Sequence, residues 1–196
     1  MADSSLPVVN QANAASSSSE KSAFDARSIE SFYDEVREIY TADSRPWVIG
    51  YSGGKDSTAT LQLVWTALSQ LPKKKRTKPV YVISSDTFVE TPIIVNHIDS
   101  NLDAINKAAL EQDLPIEAHK VVPTTNDTFW VNLLGRGYPA PTTKFRWCTE
   151  RMKIKPADRF ILDKVADFGE VVMVLGARQG ESSTRDQVLK LSLIHI

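Results

Sequence analysis

Apolar residues follow two rhythms along this chain. Residues 1–26 show neither and are rich in Ser, Ala and Asn, so they are expected to be a disordered tail. From Ile29 the apolar positions Ile29, Phe32, Tyr33, Val36, Ile39 and Tyr40 recur at helical spacing. They predict an amphipathic helix with Ser28 as its N-cap. Short, nearly all-apolar runs then alternate with longer amphipathic stretches. Trp47–Tyr51, Val80–Ser84, Ile116–Val122 and Val171–Leu175 read as strands. A helix is expected from near Ser57, with Leu61, Val64, Trp65 and Leu68 on one face. Thr91-Pro92 opens another, with Pro at its first position and Ile94, Ile98, Leu102, Ile105 and Ala109 turned inward. A further helix is expected over about 126–134, then a Gly/Pro-rich loop over 135–141, then a helix opened by Pro156.

Strands that are apolar throughout and separated by helices imply an α/β fold, a parallel sheet with helices on both faces. Ligands of such sheets sit beyond the carboxyl ends of the strands, near the point where strand order reverses. Three segments just past a strand carry chemistry: Ser52–Ser57, Ser85–Thr91 and Gly176–Arg185.

Composition narrows the setting. The chain has 196 residues and a net charge of −1. No global field draws it to nucleic acid or membrane, so any DNA contact has to come from a local patch. There is no membrane-spanning run and no signal-like N-terminus, and Cys148 is the one cysteine, so a cytoplasmic protein without disulfides is expected. The run Lys73–Arg76 reads as a solvated turn, with a phosphate contact as the alternative.

In Tyr51-Ser-Gly-Gly-Lys-Asp-Ser57 the turn between strand and helix points backbone N–H groups at an anion, and the helix dipole adds to them. Gly53 and Gly54 permit close approach, Lys55 adds charge, and Ser52 and Ser57 add hydroxyls. The Walker pattern fails twice: Ile49 stands at its first glycine, and Asp56 follows the lysine in place of the magnesium-binding hydroxyl. Ser52, Gly53, Gly54, Asp56 and Ser57 instead resemble the S-G-G-x-D-S/T loop of the ATP pyrophosphatases, the adenine nucleotide alpha hydrolase-like (PP-loop) proteins. The resemblance implies ATP as ligand, a loop that grips pyrophosphate and Mg2+, and adenylylation of a substrate oxygen.

Asp86-Thr87-Phe-Val-Glu90-Thr91 resembles, with one spacer residue fewer, the D-T-x-x-x-E-T segment of the phosphoadenylylsulfate (PAPS) reductases within that superfamily. A carboxylate there would meet ribose hydroxyls or the adenine amine; capping of the next helix is the plainer reading. Gly176-Ala-Arg178-Gln-Gly-Glu181-Ser-Ser-Thr-Arg185 resembles G-x-R-x-x-E-S-x-x-R of the same reductases. It implies a glycine against base or ribose, Arg178 and Arg185 on phosphate or sulfate oxygens, and Glu181 orienting them. By this reading Lys55, Asp56 and Arg178 are the catalytic set.

The segment Gly135–Pro156 interleaves Arg136, Lys144, Arg146, Arg151, Lys153 and Lys155 with Tyr138, Phe145 and Trp147. That mixture suits a nucleic-acid strand, and it suits ATP phosphates equally. Cys148 lies between Arg146 and Arg151, whose charge favours its thiolate; burial as a small apolar residue is the alternative. The string G-R-G-Y-P-A-P-x-x-K-F-R-W-C-T-E-R-x-K-I-K-P, with R-P-W-V-I-G-Y-S-G-G-K-D-S-T and T-F-W-V-N-L-L-G-R-G-Y-P, resembles the DndC-like sulfurtransferases of bacterial DNA phosphorothioation, over about 29–188. The resemblance implies that ATP activates a DNA phosphate and sulfur replaces a non-bridging oxygen. Its implied partners are DNA, a cysteine desulfurase as sulfur donor and other phosphorothioation-complex subunits. It also implies a [4Fe-4S] cluster, expected only in the complete protein, with Cys148 as one of four thiolate ligands, the other three being missing from this chain. A PAPS reductase-type enzyme and a non-catalytic ATP-binding subunit of a defence complex are the alternatives. The end Leu191–Ile196 resembles the translated end of a sequencing adapter. Residues 27–190 are therefore expected to be a C-terminally truncated PP-loop domain, and 191–196 a non-native tail.

Overall fold

The structure, a computed structural model, describes residues 27–177. The expected tails 1–26 and 191–196, and with them Arg178, Glu181 and Arg185, lie outside the described residues. Helix α1 (Ile29–Thr41) starts where the pattern placed it: the Ser28 hydroxyl accepts from the Ser31 amide. Strand β1 (Trp47–Gly50) leads into α2 (Lys55–Gln70), β2 (Val80–Ser85) into α3 (Pro92–Glu111), then comes β3 (Ile116–Val121). After an irregular stretch, α4 (Lys155–Phe168) returns the chain to β4 (Val172–Leu175).

The four described strands pair in parallel in the order β3-β2-β1-β4, with Trp47 opposite both Val80 and Val172, and Val80 opposite Ile116. The chain builds outward from β1 to β3, then crosses back to add β4 on the other side of β1. Strand order therefore reverses between β1 and β4, and the crevice of such a sheet opens at that point.

One face of the sheet carries the larger core. Ile49, Val80, Val82, Ile116 and Ala118 meet Tyr40 of α1, Leu61, Val64 and Leu68 of α2, and Leu102 and Ala109 of α3. The other face packs Val48, Tyr81, Ile83 and Val121 against Ala157, Phe160 and Ile161 of α4. Lys78 is only 2 % exposed at its side chain, yet its ammonium is held by Asp43 at 2.7 Å and lies 5.0 and 5.2 Å from the ring centroids of Tyr40 and Trp47. Hydrogen bonds from Lys78 and Arg45 hold the Asp43 carboxyl down at about 2. The Lys73–Arg76 run is partly absorbed by the fold. Arg76 donates to carbonyls of Ser69, Leu71, Gln112 and Asp113, tying the end of α2 to the end of α3, and Lys73 pairs with Asp113.

Two expectations need correction. The helix expected over 126–134 is a 3-10 turn at Thr125–Asp127 followed by a π-helical turn at Val131–Gly135. Between the two, Asn132 is fully buried and donates its side-chain amide to the carbonyls of Asn126 (3.0 Å) and Thr128 (2.8 Å), while its backbone N–H keeps the bond to Thr128 at 3.2 Å. The side-chain bond to Asn126 ties the 3-10 turn to the π-helical turn. The helix expected to open at Pro156 instead begins earlier, as Trp147–Thr149 and a π-helical turn Glu150–Ile154 running directly into α4. Pro156 sits in the first turn of α4, where its missing N–H is tolerated.

Candidate functional site

The loop between β1 and α2 is shaped from within. The Ser57 hydroxyl is buried, donates to the Gly54 carbonyl (3.0 Å) and accepts from the Ser52 amide (3.2 Å). With its proton so placed, it accepts from the Ser52 hydroxyl at 3.1 Å. Gly53 has φ +72°, a conformation that glycine adopts without strain. Gly54 has φ −80° and room for a Cβ, so its bareness matters to whatever approaches from outside. The first-turn amides of α2 have no intrahelical acceptor. They and the exposed Lys55 belong to the same loop as Ser52 and Ser57, which line an open cleft; Gly53, Gly54, Lys55 and Asp56 themselves do not line it. Ser57 therefore braces the loop, while Ser52, Gly54 and Lys55 remain exposed.

The end of β4 is locked to this turn. A Cβ on Gly176 would stand 2.6 Å from the Asp56 carbonyl oxygen and 2.6 Å from the Thr60 hydroxyl. Only a glycine lets the β4 end lie flat on the first turn of α2. Two strand ends far apart in sequence thus meet at the switch point, over a cleft of about 440 Å³. Its polar lining includes Ser52, Ser57, Ser85 and Glu90, and its apolar lining includes Ile83, Ile94, Met173 and Leu175. Ile94, expected to turn inward, is 45 % exposed and faces this cleft.

Asp86 and Thr87 do not line the cleft. Asp86 is 3 % exposed; it accepts from the Phe88 amide at 2.9 Å and lies 3.9 Å from the Lys120 ammonium. Thr87 donates to Glu90 at 3.0 Å. Together they build the turn after β2 and present Glu90 to the cleft. Thr91 is the N-cap of α3, without a side-chain capping bond.

Lys153, named from the sequence only as one of six cations in the aromatic-basic segment, also lines the cleft. It stands on the π-helical turn Glu150–Ile154, so the aromatic-basic segment reaches the cleft through it. Its place in a string of cations gave no sign of this; which cation faces the cleft depends on the extra residue in the π turn. Such turns are frequent at functional sites.

The rest of that segment is a braced arch. Trp147 is buried, stacks on Phe129 (5.5 Å, 17°), meets Tyr138 edge-on (5.5 Å, 86°) and donates to the Pro139 carbonyl at 3.0 Å. Arg151 donates to Asp127 at 2.7 Å and to the Tyr138 hydroxyl at 2.8 Å. Burial raises the Asp127 carboxyl, but Thr124, Arg151 and Lys155 outweigh it and hold it below the usual carboxylate range. Cys148 is half-buried on the short helix Trp147–Thr149.

The residues present fit a nucleotide. Ser52 and Ser57 of a glycine-bearing loop, Gly176, Lys153 and an apolar wall line one crevice, with the N-terminus of α2 beside it. They do not fit a [4Fe-4S] cluster. The chain has one cysteine, and among the described residues no group of three or more His, Cys, Asp or Glu side chains could hold a metal. Also among the described residues, no helix is long and apolar enough to cross a membrane.

The family model described as the phosphoadenosine phosphosulfate reductase domain matches residues 46–193. An uncharacterised protein of Methanocaldococcus jannaschii is 26% identical over 153 residues, 76% of this chain and 26% of its own length. This chain therefore spans about a quarter of that relative. Among solved structures, the U34-tRNA thiolase NcsA from Methanococcus maripaludis, with its [4Fe-4S] cluster, aligns with a TM-score of 0.44 and 14% identity, over 85% of this chain and 51% of that one.

Proposed function

Because the chain belongs to the phosphoadenosine phosphosulfate reductase domain family, we propose that it is the ATP-using part of a sulfurtransferase acting on DNA. In this reading it adenylylates a backbone phosphate, so that sulfur can replace a non-bridging oxygen. The observation that carries the reading is the meeting of Gly176 with the first turn of α2 beside the Ser52–Ser57 loop. That junction leaves a crevice lined by Ser52, Ser57 and Gly176, with Lys55 in the same loop. Asp56 in place of the Walker hydroxyl argues against transfer of the γ-phosphate, and a loop of this form suits pyrophosphate as leaving group.

A DNA phosphate oxygen attacks the α-phosphorus of ATP, the bond from that phosphorus to the β-phosphate oxygen breaks, and pyrophosphate departs. The loop amides and Lys55 stabilise the charge gathering on it. The terminal sulfur of a persulfide then attacks the activated DNA phosphorus and AMP leaves with the displaced oxygen; a second thiol cleaves the resulting S–S bond, leaving the phosphorothioate on DNA and a disulfide, so that two thiols supply the two electrons that reduce the incoming sulfur. Mg2+ would neutralise the phosphates, with Asp56 the nearest candidate carboxylate in the loop. Cys148 would face the sulfur donor, a cysteine desulfurase working with other subunits of a phosphorothioation complex. Arg178, Glu181 and Arg185 would complete the nucleotide contacts. No step runs through an iron–sulfur cluster.

The test is pyrophosphate release from ATP with and without DNA. DNA-stimulated release is expected, reduced in Lys55→Ala by about 100-fold, the usual cost of removing one charge-stabilising donor. The family match itself favours a second reading, a sulfonucleotide-binding reductase. That reading predicts PAPS binding with no pyrophosphate from ATP. Tight ATP binding without turnover would leave a nucleotide-sensing subunit.

A further inference from the structure

The arch over 129–147 presents chemistry that the nucleotide site does not use. Four rings form a continuous chain: Trp130 edge-on to Phe129 (5.1 Å), Phe129 stacked on Trp147, and Trp147 against Tyr138. The inner rings are held by the Pro139 and Arg151 hydrogen bonds. The outermost ring, Trp130, is 57 % exposed. Beyond it, Thr142 and Phe145 exchange backbone hydrogen bonds of 3.1 and 3.2 Å, closing a tight turn that carries Lys144 and the 46 % exposed Phe145. Among the described residues no carboxylate lies within ion-pair distance of Lys144, Arg146 or Lys153. By contrast Arg151 and Lys155 are matched by Asp127. Over 136–155 there is one acidic residue, Glu150, against six basic ones, in a chain whose net charge is −1.

An exposed indole and phenyl on a rigid mount, flanked by unmatched cations, fit a nucleic-acid strand. A stacked duplex hides its base faces and offers only edges and phosphates. Two bare rings are of use only to bases that have left the stack. We infer that the arch binds a locally unstacked DNA strand, with bases on Trp130 and Phe145 and phosphates on Lys144 and Arg146, and feeds it toward the cleft. Lys153 lines that cleft six residues after Trp147, a span of roughly 9 Å at helical rise. The inference rests on the reading of the cleft as a nucleotide site that modifies nucleic acid.

The experiment is fluorescence anisotropy with a labelled oligothymidylate, the matching oligouridylate and a duplex of the same length. The strand should bind more tightly than the duplex. Trp130→Leu and Phe145→Leu should each weaken strand binding about tenfold, the scale of one lost stack, and leave the duplex nearly unchanged. Trp130→Phe should restore most of it. Lys144→Ala and Arg146→Ala should weaken strand and duplex alike, each lowering the salt slope on the strand by about 0.7. The thymidylate strand should bind at least as tightly as the uridylate, and a clear preference for uridylate would overturn DNA as the occupant. Duplex binding as tight as strand binding, parent-like strand binding by the leucine variants, or no binding at all would overturn the inference. If the leucine variants bind like the parent while DNA still stimulates pyrophosphate release, the surface is wrong and the ATP reading stands. If the strand binds through both rings but no pyrophosphate appears, the surface stands and the ATP reading falls.

Discussion

The Ser52–Ser57 loop and the 129–155 arch meet at one cleft, yet they are built by opposite means. The loop is local. Six consecutive residues hold it, through a glycine at φ +72° and hydroxyls that bond across no more than five positions. The arch is assembled from distant parts: Asp127 reaches Arg151, Tyr138 reaches Arg151, and Phe129 stacks on Trp147. A local loop keeps its shape wherever a strand precedes and a helix follows. An arch of distant parts keeps its shape only while each part is in place, so it is the region more open to change in specificity.

Substitutions should separate the two. The largest effect is expected for Trp147→Ala, which removes the ring at the centre of the arch; buried Trp truncations cost about 3–5 kcal/mol. The urea midpoint should fall and the near-ultraviolet dichroism collapse, while ATP affinity falls far less. An equal loss of ATP binding would mean that loop and arch are one unit. Gly176→Ala comes next. Its Cβ collides with backbone of α2, so overpacking of about 1–3 kcal/mol is expected. Here ATP affinity should fall together with stability, and the dichroism of the arch should persist.

A smaller, pH-dependent effect should mark Asp127. Its carboxyl is held down in the folded protein, so its contribution is complete above the unfolded value of about 3.9 and is lost as pH falls through the folded one. Tryptophan emission from the arch should therefore show an acid step below that value, and Asp127→Asn should lack the step. The same step in the variant would assign it to another group. The smallest structural effect is expected for Gly54→Ala. The backbone there is ordinary and the space is open, so stability should change by less than about 0.5 kcal/mol. ATP affinity should nevertheless drop, because the methyl group stands where a phosphate would approach. Unchanged affinity would remove the loop from the site.

How far the sequence could be read follows the same division. Strand runs and helix faces were legible because each is a periodic signal within one short stretch, and the Ser28 cap and Pro92 start lay where chemistry places them. The stretch 125–135 was misread because nothing in its local pattern separates one helix from a 3-10 turn and a π-helical turn tied together by the buried Asn132 amide. Asp86 and Thr87 were legible as a motif, but their sequence did not show that they face inward and present Glu90 in their place.

By itself the sequence determined the α/β class, the loop that can hold an anion, and a cysteine count too small for a four-thiolate cluster. Those depend on residue type, period and number. Only the tertiary structure decided the reversal between β1 and β4, the seating of Gly176 on α2, and which cation of a basic run lines the cleft. The physical reason is that these are relations between surfaces distant along the chain. They are fixed by excluded volume and burial when the sheet closes, and no local window of sequence contains them.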